Sequence, residues 1–454
     1  MPPSPDLLDF VGNTPLVELT RLETGPCRLF VKLESHNPGG SIKDRIALSM
    51  ISAAERDGRL KAGGTIVEAT AGNTGLGLAL VAARRGYRLV LVIPDKMSRE
   101  KVQNLRAMGA EVVMTRSDVG KGHPDYYQDK AARLAAEMGA FYVDQFGNPA
   151  NPLAHEIGTG PEIWEQTGGR VDAVVCGVGS GGTMTGLSRF FARVAPDVEM
   201  VLADPKGSIL ADLVNTGSHG EAGSWAVEGI GEDFVPSIAD LSRIKAAYTI
   251  DDRESFMTAR EVLRREGLLV GSSSGTLIAA ALRHCRRQER PKTVVTFVCD
   301  TGNKYLSKMF SDAWMVEHGF IERGAHGDLR DLIARPHAEG GTVSASPDEP
   351  LINAYARMKL YDVSQLPVLD GERLVGILDE SDLLLAVYGH EGRFREPVSV
   401  AMATRVETVE PSASIAKLME ILSRDHVPVI VDRGRFLGLV TRIDVLNHLR
   451  RKVG

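Results

Sequence analysis

From Gly64 to about Phe310, short β-branched runs alternate with amphipathic segments, the pattern expected of helices covering a largely parallel sheet. Thr65-Ile66-Val67-Glu68, Leu89-Val90-Leu91-Val92-Ile93, Glu111-Val112-Val113-Met114, Ala173-Val174-Val175-Cys176, Met200-Val201-Leu202-Ala203 and Val294-Val295-Thr296-Phe297 predict strands. Between them, Leu76 to Arg85 and Glu100 to Met108 carry apolar positions at helical spacing. The fold class is therefore α/β. Around Glu322-Arg323-Gly324-Ala325-His326-Gly327-Asp328 the pattern breaks into a polar, glycine-containing stretch, which suits an exposed connection between domains.

Beyond that break lies a repeat. Leu366-Pro367-Val368 leads to Gly376-Ile377-Leu378-Asp379-Glu380-Ser381-Asp382, and Val427-Pro428-Val429 leads to Gly438-Leu439-Val440-Thr441-Arg442-Ile443-Asp444. Each copy follows a helical segment, Leu351 to Leu360 and Ile415 to Ser423, so self-similarity defines two units of about sixty residues. These patterns divide the chain into residues 1–322, a connection at 323–336, and two repeats at 337–392 and 393–454.

A length of 454 residues is too great for one typical domain. Hydrophobic residues make up 43% and charged residues 25%, the balance of a globular protein rather than a disordered or membrane one. No apolar run is long enough to span a bilayer. Met1-Pro2-Pro3-Ser4-Pro5 lacks the basic start and apolar stretch of a secretory signal, so a cytoplasmic protein is expected. Cys27, Cys176, Cys285 and Cys299 are widely spaced, form no Cys-x-x-Cys pair, and read as core thiols. A formal net charge of −6 argues against a generic nucleic-acid binder. The basic run Arg283-His284-Cys285-Arg286-Arg287 continues a helical pattern from Leu277 and reads as a helix end. The sequence holds no metal-site constellation.

Three loops carry candidate chemistry. In Asn37-Pro38-Gly39-Gly40-Ser41-Ile42-Lys43-Asp44-Arg45 a glycine turn delivers one lysine onto a helix start. Such an amine can form a Schiff base with an aldehyde cofactor, although alone it reads more readily as a solvated helix-start lysine. Thr70-Ala71-Gly72-Asn73-Thr74-Gly75 follows one apolar run and Gly177-Val178-Gly179-Ser180-Gly181-Gly182-Thr183 follows another. In the latter, missing side chains let the backbone approach an anion while the next helix offers its positive end, so it is a phosphate loop on physical grounds. It also satisfies Gly-x-Gly-x-x-Gly after a strand, with Asp204 ending the next strand as a dinucleotide-binding acid would. That alternative leaves the Lys43 and Asn73 loops without a purpose. A pyridoxal enzyme uses all three, needing a lysine, a phosphate cradle, a ring-nitrogen partner and a carboxylate clamp.

With these motifs in order, residues 8 to about 320 resemble the fold-type II pyridoxal phosphate enzymes, in the family of cystathionine β-synthases and cysteine synthases. The resemblance implies roles by position. Lys43 becomes the Schiff-base lysine, Asn73 the contact to the cofactor's ring hydroxyl, and Gly179, Ser180, Gly181, Gly182 and Thr183 the phosphate site. Ser273, in Gly271-Ser272-Ser273-Ser274-Gly275, faces the pyridine nitrogen, where a neutral hydroxyl makes the ring a weaker electron sink suited to β-replacement. The substrate carboxylate sits on Thr70, Ala71, Gly72 and Thr74 with help from Gln145, mostly through backbone N–H groups. The chain departs from the family at Ala71, commonly serine, and at Phe146, tyrosine in some synthases.

Val227-Glu228-Gly229-Ile230-Gly231-Glu232-Asp233-Phe234-Val235-Pro236 resembles the cystathionine β-synthase version of a segment that separates the two families. There Gly229 and Gly231 allow a close turn at the pocket mouth and Glu232 meets the amino group of homocysteine; the plainer reading of Glu232 is a surface-loop acid. Asp300, ending a strand, reads as a helix cap near the ring rather than as an acid catalyst. The implied reaction condenses L-serine with L-homocysteine to L-cystathionine and water, and L-cysteine in place of serine releases hydrogen sulfide. A cysteine synthase using O-acetylserine and sulfide is the alternative, and a scaffold without catalysis a more distant one. Some family members carry a haem in an N-terminal extension; here only Cys27 and His36 occur near the start, so no haem is expected.

The repeats resemble paired CBS domains, which commonly bind adenosyl compounds through a Gly-x-x-Thr-x-x-Asp turn. Thr441 and Asp444 match it, whereas Asp379 replaces the hydroxyl residue in the first copy and Asp382 remains. The added charge at Asp379 disfavours phosphates, so S-adenosylmethionine fits more easily there than ATP; AMP is a further candidate, and the tail can equally serve only subunit contacts. The resemblance also implies a homodimer or higher homo-oligomer, with no nucleic-acid or membrane partner.

Overall fold

The computed structural model describes residues 5–70, 72–95, 99–120, 122–324 and 326–451. They form two compact units, Met1–Phe310 and Ser311–Gly454. In the first, the strands are β1 (Leu16–Leu19), β2 (Arg28–Leu33), β3 (Thr65–Ala69), β4 (Arg88–Pro94) and β5 (Glu111–Thr115), then β6 (Phe141–Tyr142), β7 (Ala173–Cys176), β8 (Glu199–Pro205), β9 (Ile244–Ile250) and β10 (Thr293–Val298). They make a six-stranded sheet in the order β1-β2-β10-β7-β8-β9 and a four-stranded sheet in the order β5-β4-β3-β6. Every pairing is parallel except β1 with β2.

The smaller sheet shows why its strands read as continuous apolar runs. Ile66, Leu89, Leu91 and Ile93 bury one face against the helices Lys43–Arg56 and Asn73–Arg85. Val67, Val90 and Val92 bury the other with Ala131 and Ala135 of the helix Tyr127–Met138. A parallel sheet covered on both faces has no polar side to alternate with. The six strands expected from sequence are all present, with bounds shifted by at most two residues, and so is the α/β class.

Parallel strands send their carboxyl ends in one direction, and loops there are the usual ligand positions of open α/β sheets. Thr70–Thr74 follows β3, Gly177–Thr183 follows β7 and Cys299–Asp300 follows β10. The Lys43 loop is stitched to the last of these, because Ile42 N donates to Cys299 O at 2.9 Å and Ser41 bridges Asp300. Gly271 N donates to Asp300 O at 3.1 Å and brings the Ser273 helix, Ser272–Arg286, to the same point.

In the second unit each repeat is a hairpin followed by a helix. Gln365–Asp370 pairs with Arg373–Asp379 ahead of the helix Glu380–Val387, and Val429–Asp432 pairs with Arg435–Leu439 ahead of Arg442–Arg451. Both hairpins shift register at the equivalent place, Val368/Leu369 and Ile430/Val431. Leu369, Val429 and Phe436 pack together between the copies. The stretch read as an exposed connection differs from that expectation: Leu329, Leu332 and Ile333 are buried against Leu418, Ile421 and Ile430 of the second repeat. Its apolar residues were too few and too scattered among charges to stand out.

Candidate active site

Lys43 is the first residue of its helix, so its side chain leaves the helix end where Gly40, at φ 78°, has just turned the chain. Asp44 reaches back and accepts from Gly39 N at 2.6 Å, fixing the turn, and an added Cβ at Gly39 would lie 2.5 Å from its Oδ1. The lysine lines a cavity together with Asn73, Gly179 to Thr183, Gly229, Ile230, Ser273 and Cys299. Burial depresses the Lys43 amine below its ordinary range, against the attraction of Asp300 and Glu232.

The glycine loop is held by its neighbours rather than by side chains of its own. Gly231 N donates to Val178 O at 2.8 Å, and a Cβ at Gly179 would stand 2.6 Å from Gly229 O. At Gly182 a Cβ would fall 1.8 Å from Asn151 Oδ1. Gly181, at φ 88°, starts the helix Gly182–Val194, whose first N–H groups lack helical acceptors and favour an anion. Asn151 Nδ2 donates to Ser180 Oγ at 2.9 Å, and Thr183 Oγ1 meets His155 Nε2 at 3.2 Å. Burial holds the His155 ring well below the usual imidazole range, so it stays neutral; it belongs to a single π-helical turn, His155–Thr159.

Beside this cradle, Thr74 Oγ1 donates to Gln145 Oε1 at 2.7 Å, joining two substrate candidates directly. Beneath them lies Glu68, 1% exposed, which accepts from Ala69 N at 2.8 Å and Gln145 N at 3.2 Å. Burial pushes its carboxyl up to about 8 against the pull of those two donors. Gly72 N donates to Thr70 Oγ1 at 3.3 Å, so these residues form one connected group with Asn73 between them, but Thr70, Gly72, Thr74 and Gln145 do not themselves line the cavity around Lys43, and Ala71 lies outside the described residues. The Phe146 and Phe234 rings meet at 5.7 Å, and Gly229 (φ 87°) and Gly231 (φ 86°) turn the chain just ahead of Glu232, which does not itself line the cavity. Burial pushes the Glu232 carboxyl up to about 8, Asp233 adds to the shift, and Lys43 opposes it. The lysine and glutamate therefore share one electrostatic environment.

Two sequence expectations change here, and one alternative already set aside finds no support. Asp300 is not a helix cap: Thr301 caps the short helix Gly302–Tyr305, while Asp300 Oδ2 accepts from Asn73 Nδ2 and Tyr305 OH, both at 2.9 Å. Cys299 is not only a core thiol, because it lines the cavity and hydrogen-bonds Ser273, with burial raising its pKa to about 12. Asp204 does not await a ribose; its Oδ2 accepts from Ala211 N at 2.8 Å in the helix that follows. Glu68, Lys304 and Asn151 escaped sequence reading altogether, since each partners residues distant in the chain.

In the repeats, Thr441 Oγ1 and N both donate to Asp444 Oδ2, at 2.6 and 2.7 Å. Asp379 and Asp382 form a reciprocal cap of the equivalent helix instead.

An amine, a helix-start anion cradle, an amide and a neutral hydroxyl around one cavity fit pyridoxal 5'-phosphate, down to the glycines whose Cβ atoms would collide with the loop's supports. The sequence agrees with this class: residues 7–300 match the family of pyridoxal-phosphate dependent enzymes, and residues 331–389 and 398–451 match the CBS domain. Cystathionine β-synthase of Dictyostelium discoideum is 34% identical over 98% of this chain and 92% of its own length. That of Saccharomyces cerevisiae is 38% identical over 98% and 81%. Among solved structures, O-ureido-L-serine synthase superposes with a TM-score of 0.64 at 36% identity, covering 72% of this chain and 98% of its own. A hydrogen sulfide-producing enzyme of Fusobacterium nucleatum gives 0.62 at 34%, covering 67% and 100%. The chain belongs to the cystathionine β-synthase family of pyridoxal-phosphate dependent lyases.

Proposed function

We propose that this enzyme condenses L-serine with L-homocysteine to L-cystathionine and water, and that the cavity around Lys43 is where it does so. The observation that carries the reading is the convergence of Lys43, Asn73, Ser273 and Gly179–Thr183 on that single cavity. Pyridoxal 5'-phosphate bound there supplies an electron sink conjugated to the substrate Cα. Gly179 to Thr183 would hold the phosphate, Asn73 the ring hydroxyl and Ser273 the ring nitrogen. The Lys43 amine would hold the aldehyde of the cofactor. Its depressed pKa then suits Lys43 Nζ to take the Cα proton and later return it. Thr70, Gly72, Thr74 and Gln145 would orient the substrate carboxylate, and Glu232 would receive the ammonium of homocysteine beside Gly229. With L-cysteine in place of serine the leaving group is hydrogen sulfide.

The reading gives Cys27 and His36 no role as haem ligands. The Cys27 thiol is buried against Cys285 O at 3.6 Å and His36 Nδ1 lies 3.4 Å from Ser35 Oγ, so the reading includes no haem. It further includes a cytoplasmic setting, which four free cysteines suit, and assembly as a homodimer or higher homo-oligomer. No described helix is long and apolar enough to cross a membrane. The tail is proposed to take an adenosyl ligand at Thr441 and Asp444.

Steady-state rates decide the substrate pair. Serine with homocysteine is expected to give faster turnover than O-acetylserine with sulfide; the reverse order would make this a cysteine synthase, with Ala71 the first residue to revert to serine.

A further inference from the structure

The Asn73 side chain lies between two groups of opposite chemistry. Lys304 Nζ donates to its Oδ1 at 2.6 Å, and its Nδ2 donates to Asp300 Oδ2 at 2.9 Å. An ammonium has only donors and a carboxylate only acceptors. Rotating the amide by half a turn would point its N–H edge at the cation and its oxygen at the carboxylate, exchanging two charge-assisted bonds for two repulsions. A side-chain amide ordinarily has both orientations within reach; here the flanking charges admit one.

The clamp is itself anchored. Tyr305, 4% exposed, donates its OH to the same Asp300 oxygen at 2.9 Å. Lys304 sits between them on the short helix Gly302–Tyr305, with Gly302 N donating to Leu269 O at 3.0 Å. The ammonium also reaches the lysine loop, since a Cβ at Gly40 would lie 4.0 Å from Lys304 Nζ. Asp300 bridges Ser41 in that loop. The cation and the carboxylate thus meet on Asn73, while the backbone of Asp300 ties the same segment to the loop bearing Lys43. The Nδ2 atom carries two hydrogens, of which Asp300 takes one, and Asn73 also forms part of the cavity wall.

We propose that Lys304, together with Asp300, is a positioning residue that locks the Asn73 amide so that its second N–H is offered to the ring hydroxyl of the bound cofactor. The inference rests on the assignment of this cavity to pyridoxal phosphate. A hydrogen bond donated to that oxygen favours its ionised form, so the clamp governs the cofactor's absorption as well as its retention. Lys304 never touches the cofactor and acts through Asn73 alone.

The test is the spectrum of purified holoenzyme, read as the ratio of visible to near-ultraviolet cofactor absorbance, with cofactor loss on dilution as a second readout. Lys304→Met removes the donor that fixes Oδ1 and leaves the amide held by Asp300 alone, so the ratio is expected to fall severalfold and cofactor loss to rise about tenfold, the size of one charge-assisted hydrogen bond. Lys304→Arg, again a donor-only cation, is expected to recover most of both. Lys304→Gln keeps a donor without the charge and covers the case of a Met variant that does not fold; it is expected to fall between. Wild-type spectra and retention in the Met or Gln variant would overturn the clamp, as would an Arg variant as impaired as Met. Absence of a visible band from wild type would instead overturn the assignment of the cavity, so the two failures are distinguishable.

Discussion

Burial pushes the Glu232 carboxyl up to about 8, with Asp233 adding to the shift and Lys43 opposing it. A carboxyl with a raised pKa is protonated below that value and charged above it, so its attraction for an ammonium grows as pH rises through about 8. The KM for homocysteine is therefore expected to fall across that range until the substrate amine itself loses its proton. Glu232→Gln should flatten the fall while sparing the KM for serine. A Gln variant with the wild-type pH profile would remove Glu232 from the second-substrate site. For the cofactor contacts, Asn73→Ala and Ser273→Ala are expected to retain the cofactor and lower kcat, by up to about 10²–10³ where the lost contact acts in the transition state. Stopped-assay kinetics alongside absorbance separate that from simple cofactor loss. Lys43, Asn73 and Ser273 were legible because each lies in a glycine- or serine-rich loop with a local signature. Lys304 and Asp300 were not, because the bonds that define their role reach Asn73 from 231 and 227 residues away.

At the level of elements, the phosphate loop depends on glycines for two separate reasons. Gly181 needs φ 88°, a region L residues disfavour, and its Cβ would lie 2.6 Å from that of Ala239. Gly181→Ala is expected to cost roughly 1–3 kcal/mol of stability and to loosen the cofactor, measured by urea unfolding and by absorbance after dialysis; an unchanged midpoint with full cofactor retention would contradict the account. Continuous apolar runs made β3, β4, β7, β8 and β10 plain in the sequence, since both faces of those strands are buried. β5 was also legible, from Val112-Val113-Met114, whereas β1, β2, β6 and β9 were not. β6 is only two residues long, and β9 buries only Tyr248 and Ile250, so neither carries a periodic signal.

The whole molecule divides at Phe310/Ser311, and every cofactor candidate precedes that point. The first unit holds its own cores beneath and above the small sheet. A chain ending at Phe310 is thus expected to remain folded and cofactor-loaded, with the tail tuning turnover; a truncated chain that purifies without cofactor would show that the tail builds the site. In the tail, Thr441 and Asp444 meet at a helix start whereas Asp379 and Asp382 cap one another. Calorimetry with S-adenosylmethionine, AMP and ATP is expected to show one site lost in Thr441→Ala/Asp444→Ala. If the ligand distinguishes two catalytic states, coupling of about 1–3 kcal/mol would shift substrate affinity roughly 5–150-fold. No heat with any of the three would leave the tail as an assembly module.

All of these expectations depend on one amine. Reduction of the holoenzyme with borohydride would fix the cofactor to the residue that holds it, and peptide mass spectrometry would then find it. The account predicts a pyridoxyl phosphate adduct on Lys43 and no other lysine, lost together with turnover in Lys43→Ala. An adduct on a different lysine, or a Lys43→Ala protein with near-wild-type cystathionine formation, would contradict it.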